Sequence, residues 1–256
     1  FNFTIPTGKE MTFQDNWKVL NDEFSLISYP QKNNSNQFLQ LATGYINYTA
    51  SFPNQAGWSN YDLYACAVYK NKTRNQLWDM LASGKLYING YHAGDYEAKV
   101  YLSRILNTKG NYMKLSFQNY NRTPSANLLG HTQFPIIGLS STKKENTIDL
   151  MGVIGNYKSE WLAQVNYQLI NNYNYFSDGY KANIYTGAIS YLRIQAEKKL
   201  KLSTHWNWYN QLNVQLVDPS SPIHVPLLLT RQRLAFEGNF YKNLNLSTGL
   251  ELVYHT

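Results

Sequence analysis

Charged residues are scarce in this sequence, at 15% of the chain, whereas a typical soluble domain has about 25%. Uncharged polar residues, chiefly asparagine, take their place, together with 22 tyrosines and 6 tryptophans. Low charge combined with abundant amides and tyrosines is unusual for a freely soluble protein. The first question is therefore what surrounds this weakly charged chain.

Long hydrophobic runs are also missing. The best candidate, "IHVPLLLT" at residues 223–230, is interrupted by Pro226 and falls far short of the roughly 18 consecutive apolar residues that a membrane-spanning helix needs. If this chain resides in a membrane, it must therefore cross it with β-strands.

Residues that commonly carry chemistry are few. Cys66 is the only cysteine, which excludes an intrachain disulfide, and its position in an alternating segment indicates a packing role. The five histidines form no zinc-protease motif, and there is no glycine-rich phosphate loop. His205 next to Ser203 leaves a membrane-embedded hydrolase as a remote alternative. The sequence therefore predicts no enzyme, no metal site and no cofactor.

The formal net charge of +7 is spread out and not gathered into a patch. Pairs of lysines fall in segments that we interpret as turns: Lys70 and Lys72, Lys143 and Lys144, and Lys198 and Lys199. A nucleic-acid binder would concentrate this charge among exposed aromatic residues. The pattern predicts basic loops and no nucleic-acid partner.

What the sequence has in abundance is alternation with a period of two. In "SEWLAQVNYQLINNYNYF" at residues 159–176, every second residue from Trp161 to Tyr175 is mostly apolar or aromatic, and the residues between them are mostly amides. We predict one continuous strand here. Residues 201–217 and 243–254 show the same alternation. Helical periodicity is nowhere comparably strong.

The breaks between these segments also alternate in length. Short breaks are predicted near residues 33–36, 71–75, 108–111, 156–158, 197–200 and 241–243. Longer breaks are predicted near residues 53–59, 122–145, 176–183 and 218–224, with a tight turn at residues 91–94. Short turns at one end and longer loops at the other indicate an up-and-down antiparallel transmembrane β-barrel, all-β, with roughly 12–14 or more strands. Residues 1–256 are predicted to form a single domain.

Strand length favours a membrane barrel over a soluble sandwich. The predicted strand covers twelve steps from Trp161 to Tyr173, or about 40 Å at roughly 3.3 Å per step, and with tilt this matches the hydrocarbon thickness of a bilayer. We therefore predict that the apolar side faces lipid and the amide side faces an aqueous lumen. Aromatic girdles are expected at Tyr61, Tyr69, Trp161, Tyr173, Tyr175, Trp206 and Trp208.

The alternation also assigns charged side chains to the lumen side. They could form ion pairs that stiffen the wall, or they could line a pore and select solutes by charge. The two arginines of "RQR" suit anionic groups of a solute or of lipopolysaccharide. The candidate pore-lining residues are Lys114, Arg122, Glu160, Lys201, Arg231, Arg233, Glu237 and Glu251.

Four segments carry a resemblance to a known family: "GYHAGDYEAKVYLSR" (residues 90–104), "NYNRTPS" (119–125), "YQLINNYNYF" (167–176) and "NLNLSTGLELVYHT" (243–256). They resemble the putative porin family of the Bacteroidota. The resemblance is stronger from about Gly90 onward. It implies a barrel in the outer membrane of a Gram-negative bacterium, in contact with outer-membrane lipid and lipopolysaccharide.

The resemblance also shapes two further expectations. Because the chain stops at Thr256 in what looks like a strand entrance, we expect further strands or loop residues beyond the given sequence. The expected function is a porin-like channel for small polar solutes. The alternatives are a non-conducting barrel that serves as a structural subunit with other outer-membrane proteins, and a soluble sugar-binding sandwich.

Overall fold

The computed structural model describes residues 14–256 except 33, 53–54, 74, 76, 135 and 241–243. The described residues form β-strands, turns and irregular segments. The strands, numbered in chain order, are Asn16–Ser28 (β1), Gln37–Phe52 (β2), Gln55–Lys72 (β3), Trp78–Gly90 (β4), Tyr96–Ile105 (β5), Asn111–Arg122 (β6), Glu145–Asn156 (β7), Trp161–Asn171 (β8), Tyr173–Ser177 (β9), Lys181–Tyr185 (β10), Ile189–Lys201 (β11), Trp206–Val217 (β12), Leu228–Phe240 (β13) and Leu244–His255 (β14).

Twelve of these strands form one sheet in the order β1-β2-β3-β4-β5-β6-β7-β8-β11-β12-β13-β14. Every pair is antiparallel, so the chain runs up and down without a crossover. Strands β9 and β10 pair with each other outside the large sheet and form a hairpin between β8 and β11 in the chain. Within the described residues, β1 and β14 each have a single neighbour. The predicted all-β, up-and-down antiparallel fold is confirmed.

The strands are long. β2 has 16 residues and β3 has 18, whereas strands in soluble proteins usually have about 5–6. Among the described residues, no helix has the length and apolarity needed to cross a membrane.

The break predicted at residues 241–243 lies outside the described residues; the other connections follow the predicted alternation, with two exceptions. Strands β5 and β6, β7 and β8, and β11 and β12 are joined by short turns, whereas residues 123–144 join β6 to β7 and residues 218–227 join β12 to β13. The longer break predicted at residues 53–59 is wrong, because β3 begins at Gln55. The break predicted at residues 197–200 is also wrong, because β11 continues to Lys201 and places Lys198 and Lys199 within a strand. The opposite ends of the sheet are called the short-turn end and the long-connection end below.

The long strand predicted over residues 159–176 is also wrong. β8 ends at Asn171, Asn172 has a left-handed φ of 54°, and the chain then turns into the β9–β10 hairpin. The strand predicted over residues 201–217 begins later than expected, because residues 202–205 form the turn before β12. In both places a period-two pattern continued through a turn.

Candidate functional site

The register of the sheet separates its side chains into two faces. On β7, β8 and β11, the side chains of Leu150, Val165 and Ile194 point to one side and are exposed; this is called the apolar face. The residues between them point to the other side, called the polar face. The strand-by-strand alternation therefore gives the sheet two surfaces of opposite character.

Amide groups on the polar face are satisfied by a carboxylate. Asp149 on β7 accepts hydrogen bonds from Asn166 Nδ2 at 2.7 Å and from Gln168 Nε2 at 2.6 Å, both on β8. Asn166 is buried, so this pairing removes most of the free-energy cost of withdrawing its amide from water. Asp149, Asn166 and Gln168 therefore form a hydrogen-bonded cluster on the polar face.

A recess of about 440 Å³ lies on the polar face towards the short-turn end. Tyr112, Glu197, Lys199, Tyr209 and Arg231 are among the residues that line it. The ammonium of Lys199 lies 3.4 Å from a carboxylate oxygen of Glu160 and 4.0 Å from one of Glu237. Because it brings lysine and arginine cations together with carboxylates, the recess can hold a polar or anionic group.

The two arginines at this recess have different partners. Arg231 is ion-paired with Glu251 at 2.7 Å. The Arg233 guanidinium lies over the Tyr209 ring at 5.5 Å and donates to Ser247 Oγ at 3.2 Å. In the part of the chain that the structure describes, Arg233 has no carboxylate within ion-pair distance. Its positive charge is therefore less compensated than that of Arg231.

The other candidate pore-lining residues lie apart from one another. Lys114 on β6 places its ammonium 5.2 Å from the Tyr112 ring, and Arg122 at the end of β6 lies 3.5 Å from Glu97. Lys201 is exposed at the end of β11. Glu160 is in the turn before β8, with φ of 49°, and not on a strand as predicted.

Glu237 and Glu251 on the last two strands are both engaged. Glu237 accepts hydrogen bonds from Tyr209 Oη at 2.6 Å and from Asn207 Nδ2 at 2.8 Å. Glu251 holds Arg231. The structure therefore brings Glu160, Arg231, Arg233, Glu237 and Glu251 to one region and leaves Lys114, Arg122 and Lys201 outside that cluster.

Five of the seven predicted girdle residues lie on the apolar face. Tyr61 and Tyr69 are at the two ends of an apolar row on β3, eight residues apart, or about 26 Å at roughly 3.3 Å per residue. Trp161, Trp206 and Trp208 lie towards the short-turn end. Tyr173 and Tyr175 do not lie on the sheet: they stack on each other in the β9–β10 hairpin, with ring centroids 6.3 Å apart.

Sequence reasoning missed a buried acid–imidazole pair at the long-connection end. Asp62 on β3 is fully buried, and it accepts hydrogen bonds from the backbone N and the ring Nδ1 of His92. Tyr91 beside it is tied by its backbone N to Tyr61 O, and burial raises the pKa of the Tyr91 phenol. The rings of Tyr48 and Tyr87 contact the His92 ring, and the Trp58 ring contacts that of Tyr91.

The Asp62–His92 pair fixes the β4–β5 turn in place. Among the described residues, no hydroxyl group is hydrogen-bonded to His92. His205 stacks on Phe236 with ring centroids 5.5 Å apart. Only the tight "YHAG" turn hinted at this region, because the partners are 30 residues apart.

Comparison with known proteins places the chain among barrel proteins. The profile of a family described as "Putative porin" matches residues 10–256. No protein with a curated description matches the sequence.

Solved structures give the same result for the fold. The siderophore receptor PirA from Pseudomonas aeruginosa is 13% identical, with a TM-score of 0.68 over 94% of this chain and 46% of the receptor. Two mutants of the ferric enterobactin receptor PfeA from the same organism are each 12% identical, with TM-scores of 0.65 and 0.64 over 94% and 93% of this chain and 41% of each receptor. The chain thus spans less than half the length of these receptors, and at this identity the likeness shows the fold alone.

Proposed function

The chain belongs to the putative porin family, and from this membership we propose that it forms the wall of a channel in the outer membrane of a Gram-negative bacterium. Small polar solutes cross this channel passively. The observation that carries the proposal is the separation of the sheet into an apolar face and a hydrogen-bonded polar face. The family and the barrel fold support a role in transport.

The apolar face is suited to hydrocarbon. Leu150, Val165 and Ile194 lie on three neighbouring strands and are each 45–48% exposed. Together with the equivalent rows on other strands, they form a continuous apolar surface of a kind that soluble monomers rarely expose. Placed in lipid, the same surface is stabilised.

The polar face is suited to water. Asp149, Asn166 and Gln168 show that its amides and carboxylates bond to one another across strands. Facing lipid, such groups would each cost several kcal/mol. The backbones of neighbouring strands pair with each other along the sheet, so an aqueous interior with lipid outside satisfies both faces.

Charge on the polar face supports a preference for anionic solutes. Arg231 is compensated by Glu251, whereas Arg233 has only hydroxyl and aromatic neighbours among the described residues. An incompletely compensated cation beside a water-filled path lowers the electrostatic barrier to anions. We assign the attraction of anions to Arg233. Arg231 is the partner of Glu251 in an ion pair.

Conductance in planar lipid bilayers tests the proposal. Purified protein inserted at increasing amounts is expected to produce discrete conductance steps. A membrane that stays silent at high protein loading, while the protein is shown to be inserted by its resistance to carbonate extraction, would contradict passive passage.

A second candidate is a non-conducting barrel that acts as a structural subunit. The observation in its favour is that all residues of β1 and β14 are exposed, so both edges of the sheet can pair with further strands. Stoichiometric partners in a native mass measurement from mild detergent would favour this function. The siderophore receptors share only the fold, so no siderophore is proposed as a ligand.

A further inference from the structure

The connection between β6 and β7 (residues 123–144, called the strap below) reaches the residues that precede β1. Asp15 accepts hydrogen bonds from Thr132 Oγ1 at 2.5 Å and from the backbone N of Gln133 at 2.8 Å. The backbone N of Gln14 donates to Gln133 Oε1 at 3.0 Å. β6 and β1 are separated by five strand spacings in the sheet, or about 24 Å at roughly 4.8 Å each. The strap therefore extends far from its own strands.

The strap crosses on the polar side. The His131 ring lies 5.5 Å from the ring of Trp58. Trp58 pairs with Ala50, a buried residue of the polar face, and shares that face with Asp62 further along β3. Because neighbouring residues in register point to the same side, this contact places His131 over the polar face at the long-connection end.

A second tie links the strap to the β9–β10 hairpin. Ile137 forms a parallel bridge with Lys181. Its backbone N donates to Tyr180 O at 2.9 Å, and its carbonyl oxygen accepts from the Ala182 backbone N at 2.8 Å. The hairpin lies between β8 and β11 in the chain, whereas Asp15 precedes β1. The strap is therefore held on both sides of the two strands that it joins, β6 and β7.

The base of the strap is held by one buried carboxylate. Asp95 in the β4–β5 turn is only 3% exposed. It accepts from the backbone N of Thr123 at 2.8 Å and from Thr123 Oγ1 at 2.9 Å, and it lies 2.7 Å from Lys144 Nζ. Both ends of the strap are therefore fixed at the same point. Fixing both ends at one point reduces the number of conformations that the strap can adopt.

We infer that the described residues of the strap, 123–134 and 136–144, lie across the long-connection opening and limit the size of the solutes that pass. This rests on the proposed passage of polar solutes, and it adds the element that narrows the path. A connection held at its base, at Asp15 and at the β9–β10 hairpin presents a fixed obstruction. The contact of Asp15 with Thr132 and Gln133 is the latch that keeps the strap extended.

The latch is tested by Asp15→Ala, with Asp218→Ala as the matched control. Asp218 lies in the β12–β13 connection at the same end, and in the part of the chain that the structure describes its carboxylate accepts only from the backbone N and the Oγ of Ser220 in its own connection. Both changes remove one negative charge from a residue outside the strands. Thr132→Val, which removes only the hydroxyl donor, serves as a second variant if Asp15→Ala fails to fold.

Swelling of proteoliposomes in neutral sugars of increasing size measures the opening. Asp15→Ala is expected to raise the permeation of the larger sugars severalfold and to change that of the smallest sugar little, while Asp218→Ala behaves as the unaltered protein. An unchanged size profile in Asp15→Ala and in Thr132→Val would overturn the inference and leave the proposed channel intact.

Hydrogen exchange in the same proteoliposomes gives a reading that does not depend on passage. The amide of Gln133 is expected to exchange about tenfold faster in Asp15→Ala, because it loses its carboxylate acceptor. The amide of Ile137 should keep its protection. If the unaltered protein passes no sugar, the proposed function fails. Hydrogen exchange then tests the position of the strap by itself. Fast exchange of the Gln133 amide in the unaltered protein would contradict its contact with Asp15.

Discussion

Asp62 accepts two hydrogen bonds from His92, one from the backbone N at 2.7 Å and one from the ring Nδ1 at 2.5 Å. The carboxylate is fully buried on β3, and the imidazole lies in the β4–β5 turn. The pair connects β3 to the turn that follows β4, the strand next to it in the sheet. It thereby fixes the position of Asp95, which holds the base of the strap.

Replacing Asp62 is expected to destabilise the protein. Asp62→Ala leaves the backbone N and the ring of His92 without their acceptor, which costs about 2–4 kcal/mol of unfolding free energy. Asp79→Ala is the control, because the Asp79 carboxylate on β4 makes no hydrogen bond to any residue that the structure describes. Urea unfolding in detergent micelles measures the difference. Equal stability of the two variants would show that the pair contributes little.

A glycine on β2 leaves space for a buried tyrosine. A Cβ at Gly44 would overlap the Tyr64 ring, and Tyr64 Oη donates to Glu23 on β1 at 2.7 Å. Gly44→Ala is therefore expected to lower the unfolding free energy by about 1–3 kcal/mol. Gly84→Ala, where the nearest atom lies at 3.9 Å, should be neutral or slightly stabilising. Unfolding curves in which Gly44→Ala is as stable as Gly84→Ala would contradict the packing.

Neighbouring positions on β8 should report opposite surroundings. Nitroxide labels at Val165 and Gln164, in a Cys66→Ala background, point to the apolar and polar faces respectively. We expect relaxation by dissolved oxygen to dominate at Val165 and relaxation by a water-soluble nickel complex to dominate at Gln164, because oxygen partitions into lipid. Reversed signals would place the apolar face inward and end the channel proposal.

Ion selectivity should depend on Arg233. Arg233→Ala removes the less compensated cation and is expected to shift the reversal potential in a salt gradient towards cation preference. The double variant Arg231→Ala with Glu251→Ala removes an ion pair without changing net charge, so its reversal potential should stay close to that of the unaltered protein. No shift in Arg233→Ala would exclude this side chain from the pore lining.

Much of the fold was predictable because alternation is a local property. Each strand carries its own period-two pattern, and a polar or apolar side chain points to a face regardless of which strand lies next to it. The predictions failed where a turn interrupts a pattern without changing it. Asn172, with its left-handed φ, ends β8 although the amide and tyrosine alternation continues to Tyr175. Residues 202–205 likewise read as strand but form a turn.

The candidate site was only partly predictable. Alternation indicated that Arg231, Arg233 and Glu251 share a face, but not which arginine the carboxylate would hold. The predicted strand position of Glu160 was wrong, although its carboxylate reaches Lys199 from the turn. Such pairings depend on register across strands, which side-chain pattern alone does not specify.

The sequence by itself determined that this protein is a series of long antiparallel strands with one apolar and one polar face, because low charge and period-two alternation are properties of each segment. Only the tertiary structure decided the contacts of Asp62 with His92 and of Asp15 with Thr132. These partners are 30 and 117 residues apart. These contacts form only because the assembled sheet brings distant connections close together. Local conformational preferences do not specify contacts between residues so far apart in sequence.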